Sequence, residues 1–314
     1  MHHAASKLAF SMTAAPLKYY AFLVTAMIIW GGSWVAKDIA VSLAPPLTVG
    51  FFRFFIGSIL FLLMMPLTGK PPHRRYKRSQ LKILLMIGGI GVFGYELTEL
   101  TGLTFTTAAQ GAILDGFQPV TIGFFAYILL RESLPRRWQY GGFIFSFAGV
   151  VFVVGIQSVI QFHLDYLLGN LILILATCIW AAYSALGKAA MRTMSSLEMT
   201  AGGIMFGTVF FACGATAEQF WTLPAMSSSL FWTIVIILGV AMTFIAYLLY
   251  FDSVKNIGAT RSGVFVSLIP ISGTILSDII LQEAIYWTYL VGLIFVIIGI
   301  AIINYPVKDR DESS

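Results

Sequence analysis

The sequence predicts an all-α polytopic membrane protein, with ten transmembrane helices arranged as two inverted five-helix repeats. The prediction rests on composition, on the distribution of basic residues and on an internal repeat. Of the 314 residues, 58% are hydrophobic and 11% are charged, whereas a soluble domain has about 25% charged residues. With a mean hydropathy of +0.87, the chain carries too much apolar surface for one aqueous core. We therefore expect a lipid bilayer around it.

Ten apolar segments are long enough to cross the membrane, which takes about 20 residues for a helix. In chain order they cover residues 18–41, 46–66, 80–103, 107–130, 137–156, 168–188, 197–217, 229–252, 258–281 and 286–305. The connections between them are short, so consecutive helices are expected to be antiparallel neighbours. No connection has the length of a soluble domain.

The basic residues predict the orientation of these spans. Seventeen of the 19 Lys and Arg residues lie in the two tails or in the loops that ten spans place on one side. Because such residues mark the cytoplasmic side, both termini are predicted to be cytoplasmic, in a multi-pass protein of the cell (inner) membrane. We interpret the run "KPPHRRYKR" as an orientation signal, with a contact to anionic lipid as the alternative. The net charge of +5 therefore does not indicate a nucleic-acid partner.

An internal repeat relates the two halves of the chain. At an offset of 151, "AAQGAILDGFQPV" aligns with "ATRSGVFVSLIPI". The same offset pairs Gly88 with Gly239 and Glu132 with Glu283. Since each half has five spans, an odd number, the second half is inverted relative to the first, a design typical of alternating-access transporters. The predicted organisation is a tail (1–17), a first repeat (18–156), an extracytoplasmic connector (157–167), a second repeat (168–305) and a tail (306–314).

The repeats also carry the pattern by which the chain resembles the EamA-type drug/metabolite transporters. Both "TFTTAAQGAILDGFQPVTIGFFAYILLRESLP" and "NIGATRSGVFVSLIPISGTILSDIILQEA" contain a small-residue helix start, a mid-helix Pro and a closing Glu, and a Gly-containing last helix follows each. The resemblance extends over about residues 18–305. It implies ten helices in two inverted halves, with a substrate cavity lined mainly by helices 1, 3, 4, 6, 8 and 9. It does not imply a substrate, because related members carry amino acids, sugars, nucleotides and cationic drugs.

Five charged residues lie inside spans of the first half, where a charge is costly and must face protein or a water-filled cavity. This charged layer comprises Lys37, Arg53, Glu96, Glu99 and Asp115. At a rise of about 1.5 Å per residue, all five lie roughly 5–11 Å from their span centres, on the outer side. One interpretation is a structural ion-pair network, with Arg53–Asp115 or Lys37–Glu99 closing the outer side. The other is a substrate site or gate, in which the surplus carboxylate takes a proton or a substrate amine.

A second set of polar and aromatic residues is predicted nearer the membrane centre. It comprises Trp30, Ser33, Trp34, Tyr95 and Gln118 in the first half, and Trp180, Tyr183, Tyr247 and Ser267 in the second. Two prolines, Pro119 and Pro270, are interpreted as helix breaks that free the backbone carbonyls of Asp115 and Val266. Each aromatic residue taken alone also fits simple packing. Together they suggest an amphipathic pocket that would bind an organic amine or amino acid through cation–π contacts.

The glycines of "GGIGVFG" (88–94) are interpreted as a site of close helix packing, with a bending point during gating as the alternative.

These observations predict a secondary transporter, with a small-molecule substrate and the lipid bilayer as partners. Export of an amino acid or amine is the favoured activity, and proton coupling stays open. The alternative is a channel or lipid scramblase in which the charged layer is purely structural. An enzyme is not expected, because the spans contain no His-Glu metal motif, Gly-x-Ser-x-Gly or paired-Asp protease motif. No cofactor or metal is expected, and the chain would work as a monomer or weak dimer.

Overall fold

The computed structural model describes residues 17–68, 76–118, 121, 137–152, 164–191, 193–257, 265–266 and 268–303. Within these ranges the chain is helical and has no strands, which confirms the predicted all-α membrane fold. Six of the helices are long and apolar enough to cross a membrane, and two further apolar helices are shorter.

Each predicted span overlaps one of the described helices, although some of these helices are shorter or longer than the span. In the first half they are α1 (Leu17–Leu43), α2 (Pro46–Met64), α3 (Arg78–Leu103), α4 (Ala108–Asp115) and α5 (Gly141–Val151). In the second half they are α6 (Leu164–Ala190), α7 (Ser196–Ala217), α8 (Ser229–Ile237 continuing through Leu238–Ile245 and Ala246–Ile257), α9 (Leu268–Leu281) and α10 (Trp287–Ile303).

The start of α6 differs from the sequence prediction by one helical turn. Helix α6 begins at Leu164, whereas the predicted span begins at residue 168, so the last residues of the predicted connector are already helical. Asp165 lies in the first turn of this helix, where a negative charge interacts favourably with the helix dipole. A purely apolar criterion overlooks such a polar first turn.

Two helices contain π-helical segments at equivalent places in the repeat. In α3 the segment is Ile87–Gly94, and in α8 it is Leu238–Ile245. Both ends of these segments are related by the offset of 151, so the repeat extends to an irregularity of the backbone. Because π-helical turns are rare, their occurrence at matched positions supports two equivalent halves.

The π-helical segments also pack in equivalent ways. In α3, Gly88 lies so close to Phe206 and Gly207 of α7 that a side chain would overlap them. In α8, Gly239 lies equally close to Ile56 of α2. The glycines therefore allow the close helix contacts predicted for "GGIGVFG", since small residues let helix backbones approach each other in a membrane protein.

Two carboxylates hold helix starts in the neighbouring half. Glu283, which follows α9, accepts hydrogen bonds from the backbone N–H groups of Ala108 and Ala109 at the start of α4, both at 2.9 Å. Glu218, which follows α7, accepts bonds from the backbone of Leu47 and Thr48 at the start of α2, at 3.3 and 2.8 Å. Each acid satisfies N–H groups that have no partner within their own helix, and joins the two repeats.

We predict that Glu283→Ala destabilises the protein, because the first N–H groups of α4 lose a charged acceptor. Hydrogen bonds to charged groups contribute about 1.5–3 kcal/mol to stability, so the unfolding temperature of the purified protein should fall by several degrees. The control is Asp278→Ala, which removes an exposed carboxylate from the last turn of α9, just before Glu283 in the sequence. Equal unfolding temperatures for the two variants would contradict this role of Glu283.

Candidate functional site

The structure brings the five residues of the charged layer together. Four of them, Lys37, Arg53, Glu96 and Glu99, have no more than 5% of their surface exposed. Buried charges at this depth require partners, since removing a charge from water costs several kcal/mol. Their pairing therefore determines what the layer can bind.

The first ion pair joins α1 to α3. The Lys37 ammonium lies 2.6 Å from the Glu99 carboxylate, and 4.7 Å from the centre of the Trp34 ring. The other oxygen of Glu99 accepts a hydrogen bond from the Tyr95 hydroxyl at 3.0 Å. Both charges are thus compensated, and the aromatic ring adds a cation–π contact.

The second ion pair joins α2 to α3 and reaches α8. The Arg53 guanidinium pairs with Glu96, and its Nε donates to the Thr243 hydroxyl at 3.0 Å. That hydroxyl donates in turn to the Leu238 carbonyl at 2.9 Å, within the π-helical segment. The irregular backbone of α8 therefore helps to hold the arginine in place.

One of the two predicted pairings is correct and the other is wrong. The structure contains Lys37–Glu99, whereas Arg53 pairs with Glu96 and not with Asp115. The reason is the direction in which each side chain points around its helix axis. An estimate of depth in the membrane does not include this direction. Arg53 and Glu96 lie on the side of Thr243 in α8, while Asp115 lies beside Trp34 and Thr177, near α1 and α6.

Among the described residues, hydrogen bonds of two neutral groups connect Asp115 to the ion pairs. Its carboxylate accepts a hydrogen bond from the Gln118 amide. The same amide nitrogen donates to the Tyr95 hydroxyl at 3.2 Å, and Tyr95 bonds to Glu99. Within the part of the chain that the structure describes, the ion pairs involve the other four residues of the layer and not Asp115.

A small cavity lies beside this carboxylate. Its walls are Trp34, Tyr95, Glu99, Gly111, Asp115, Leu173, Ala176 and Thr177, so α1, α3 and α4 of the first half face α6 of the second. Its volume is about 10 Å³, roughly the room that one water molecule needs. Small-molecule sites usually measure about 300–1,000 Å³. A solute of several heavy atoms therefore fits only after the helices separate.

Aromatic side chains lie next to the charged layer, mostly from the second half. Trp30 packs against Tyr247 and Tyr250 with ring centres 5.3 and 5.1 Å apart. Trp180 packs against Tyr95 and Tyr183 at 4.9 and 5.0 Å. We call Trp30, Trp180, Tyr183, Tyr247 and Tyr250 the aromatic floor. The indole N–H of Trp30 donates to the Met242 carbonyl at 3.1 Å, again in the π-helical segment of α8.

The remaining predicted residues do not line the cavity beside Asp115 in the part of the chain that the structure describes. The Ser33 hydroxyl donates to the Trp30 carbonyl at 2.5 Å, within its own helix. The Val266 carbonyl, expected to be free because of Pro270, accepts a hydrogen bond from the Ile269 N–H at 3.0 Å. That expectation is wrong, because a tighter turn supplies the missing donor. Pro119 and Ser267 lie outside the described residues.

Sequence reasoning missed several residues around the site. Thr243 and Gly111 were not predicted, since a Thr and a Gly are unremarkable in a membrane span. A buried network was also missed, in which Gln110 accepts from Asn170 at 2.5 Å and donates to Tyr289. Here a signal existed, because Gln and Asn inside apolar spans normally seek polar partners. Among the described residues, no group of three or more His, Cys, Asp or Glu could hold a metal ion.

Comparison with known proteins shows that the chain is similar to one family of transporters over nearly its whole length. The family described as "EamA-like transporter family" matches residues 17–155 and again residues 167–305. The uncharacterized transporter YetK of Bacillus subtilis (strain 168) is 28% identical over 293 residues, covering 93% of this chain and 88% of that protein. An uncharacterized transporter of Archaeoglobus fulgidus is 25% identical over 283 residues, covering 90% of this chain and 96% of that protein.

The chain is also similar in fold to a protein of known crystal structure. It superposes with a TM-score of 0.66 at 19% sequence identity, covering 91% of this chain and 98% of that chain. At this identity the likeness concerns the fold alone.

We predict that Gly111→Ala disturbs the cavity, because a Cβ at this position would overlap the Trp34 ring. Overpacking a buried position typically costs about 1–3 kcal/mol, so the unfolding temperature should fall. The matched control is Gly141→Ala, where an added Cβ would have no neighbour within 4 Å among the described residues. If both variants unfold at the wild-type temperature, Trp34 is not held against Gly111 as described.

Proposed function

The chain belongs to the EamA-like transporter family, and on that premise we propose that it is a secondary active transporter that exports a small organic solute, such as an amino acid or amine, by alternating access. The observation that carries this proposal is the position of Asp115. Its carboxylate lines a cavity between the halves, beside two ion pairs that engage both basic residues of the charged layer.

The position of the cavity supports alternating access. Its walls come from both repeats, and the aromatic floor adds α8 of the second half. In inverted-repeat transporters, rocking of one bundle against the other exposes a central site to each side in turn. The small cavity volume corresponds to an occluded arrangement, from which either side opens by separation of the helices.

In this mechanism each group has a distinct role. The pairs Lys37–Glu99 and Arg53–Glu96 close the outer side, Asp115 binds the cationic part of the solute or a proton, and Gln118 orients that carboxylate. The aromatic floor and Trp34 contact the organic part of the solute, with Ser33 and Ser267 as further polar contacts. Pro119, which follows α4 in the sequence, and Pro270, which lies in the first turn of α9, are proposed as the points at which these segments bend.

The proposed orientation places both termini in the cytoplasm, because the tails and the basic loops then share the cytoplasmic side. The charged layer consequently lies in the outer half of the membrane. A proton gradient directed inward would drive export if Asp115 exchanges a proton for the solute. The transporter is proposed to act as a monomer or weak dimer.

The alternative function is a channel or lipid scramblase. One observation favours it: four of the five charged residues are engaged in two ion pairs, as expected of a purely structural network. The distinction lies in kinetics, since a carrier saturates and exchanges solute across the membrane, whereas a channel does neither.

We predict that Asp115→Asn, Glu96→Gln and Glu99→Gln each abolish or uncouple transport, because each change alters the charge balance of the layer. The measurement is counterflow in proteoliposomes with a panel of amino acids, amines and sugars, with and without a pH gradient. Asp165→Asn, an equal change at an exposed position, serves as the control and should leave transport unchanged.

Two results would contradict the proposal. Wild-type exchange rates in all three variants, at equal expression, would assign the charged layer to structure alone. Non-saturable flux in the wild-type protein would favour the channel.

A further inference from the structure

The charges around the cavity do not balance. The charged layer has two cations and three carboxylates. Lys37 is held by Glu99 at 2.6 Å, and Arg53 is held by Glu96. Within the part of the chain that the structure describes, neither ion pair of this layer involves any other basic residue. Among the described residues, the surplus carboxyl group of the layer, the one outside both ion pairs, is therefore that of Asp115, which lines the cavity.

This imbalance favours one class of ligand over another. A buried charge without a counter-charge is strongly unfavourable, so a ligand that brings a single positive charge neutralises the layer. An amino acid also brings a carboxylate, which needs a cation of its own. Lys37 is already in contact with both Glu99 and the Trp34 ring, and Arg53 is divided between Glu96 and Thr243. An additional carboxylate in the cavity would face two other carboxyl groups, those of Glu99 and Asp115.

The aromatic floor indicates what the rest of the ligand looks like. Along α1, Trp30 lies one turn further inward than Trp34, which corresponds to about 6 Å along the helix axis. Trp30 meets Tyr247 and Tyr250 from α8, and Trp180 meets Tyr95 next to the cavity. A ligand with its cation at Asp115 would therefore direct its apolar part toward these rings, where cation–π and stacking contacts are available.

Building on the proposed transport function, we infer that this site selects a monovalent organic amine with an aromatic or apolar group, and rejects the corresponding amino acid. The amine lies against Asp115, and the apolar group lies on the aromatic floor. Selectivity arises because both cations of the site are already used by Glu96 and Glu99.

Binding to the purified full-length protein in detergent tests this selectivity. The probes are phenethylamine, phenylalanine and 3-phenylpropionate, which share a ring and differ in charge, and binding is followed by isothermal titration calorimetry. Because the amine forms a charge-assisted hydrogen bond with Asp115 and brings no carboxylate, phenethylamine should bind at least about 10-fold more tightly than phenylalanine. The anion 3-phenylpropionate should bind least.

Three variants identify the residue responsible. Asp115→Asn should weaken phenethylamine binding about 10-fold or more, and should remove the preference over phenylalanine. Asp115→Glu keeps the charge and should keep the preference. Asp278→Asn removes an exposed carboxylate elsewhere and should change no affinity. If Asp115→Asn is not monodisperse in size-exclusion chromatography, the wild-type preference and Asp115→Glu decide the matter.

The inference is overturned if phenylalanine binds wild-type protein as tightly as phenethylamine does, if no probe binds, or if Asp115→Asn binds the amine with wild-type affinity.

Flux assays separate failure of this inference from failure of the transport function, with phenethyltrimethylammonium as a probe that cannot lose its charge. Saturable exchange of phenylalanine but not of the ammonium probe would overturn the inference and leave the transporter in place. If amine binding depends on Asp115 but the flux is not saturable, the result would support the proposed selectivity. It would contradict the proposal that the protein is a carrier.

Discussion

The two buried ion pairs, Lys37–Glu99 and Arg53–Glu96, are the interactions on which the arrangement of the site depends. Inside a membrane protein, a buried charge that loses its partner costs several kcal/mol. The ion pairs therefore fix the positions of these helices relative to one another. The pairs connect α1 and α2 to α3, and the bond from Arg53 to Thr243 extends the connection to α8. Because α1 and α3 both line the cavity, a displacement of either helix would change the walls of the cavity.

The two halves share backbone features at matching sequence positions, whereas most charges of the charged layer are not repeated; Lys37, which corresponds to Lys188, is the exception. The π-helical segments of α3 and α8 coincide at an offset of 151. At the same offset, however, Arg53 corresponds to Ile204, Glu96 to Tyr247, and Asp115 to Val266. The first repeat thus supplies the charged layer, while the second supplies much of the aromatic floor. An inverted pair of helical scaffolds in this way produces a site with a charged end and an aromatic end, which suits an amphipathic solute.

Much of this arrangement could be predicted from the sequence, for physical reasons. The thickness of the bilayer determines the length of a span, so apolar segments locate the helices, and the nearly constant rise of a helix locates Lys37 and Asp115 in one layer. Pairing depends on direction around the helix axis, which only the packed structure shows. Arg53 therefore pairs with Glu96 rather than with Asp115. The π-helical segments and the role of Thr243 also depend on packing, since Gly88 and Gly239 could equally have occurred in regular helices.

A double-mutant cycle on Lys37 and Glu99 would test most directly whether these charges neutralise each other and leave the surplus on Asp115. The free energy of unfolding is measured for Lys37→Met, for Glu99→Gln and for the two changes combined. Each single change should cost about 3–5 kcal/mol because it leaves an uncompensated buried charge, and the combined change should cost less than either alone. Additive losses would show that the two side chains do not form a mutually compensating pair, and that the charge balance around Asp115 is different from the one described.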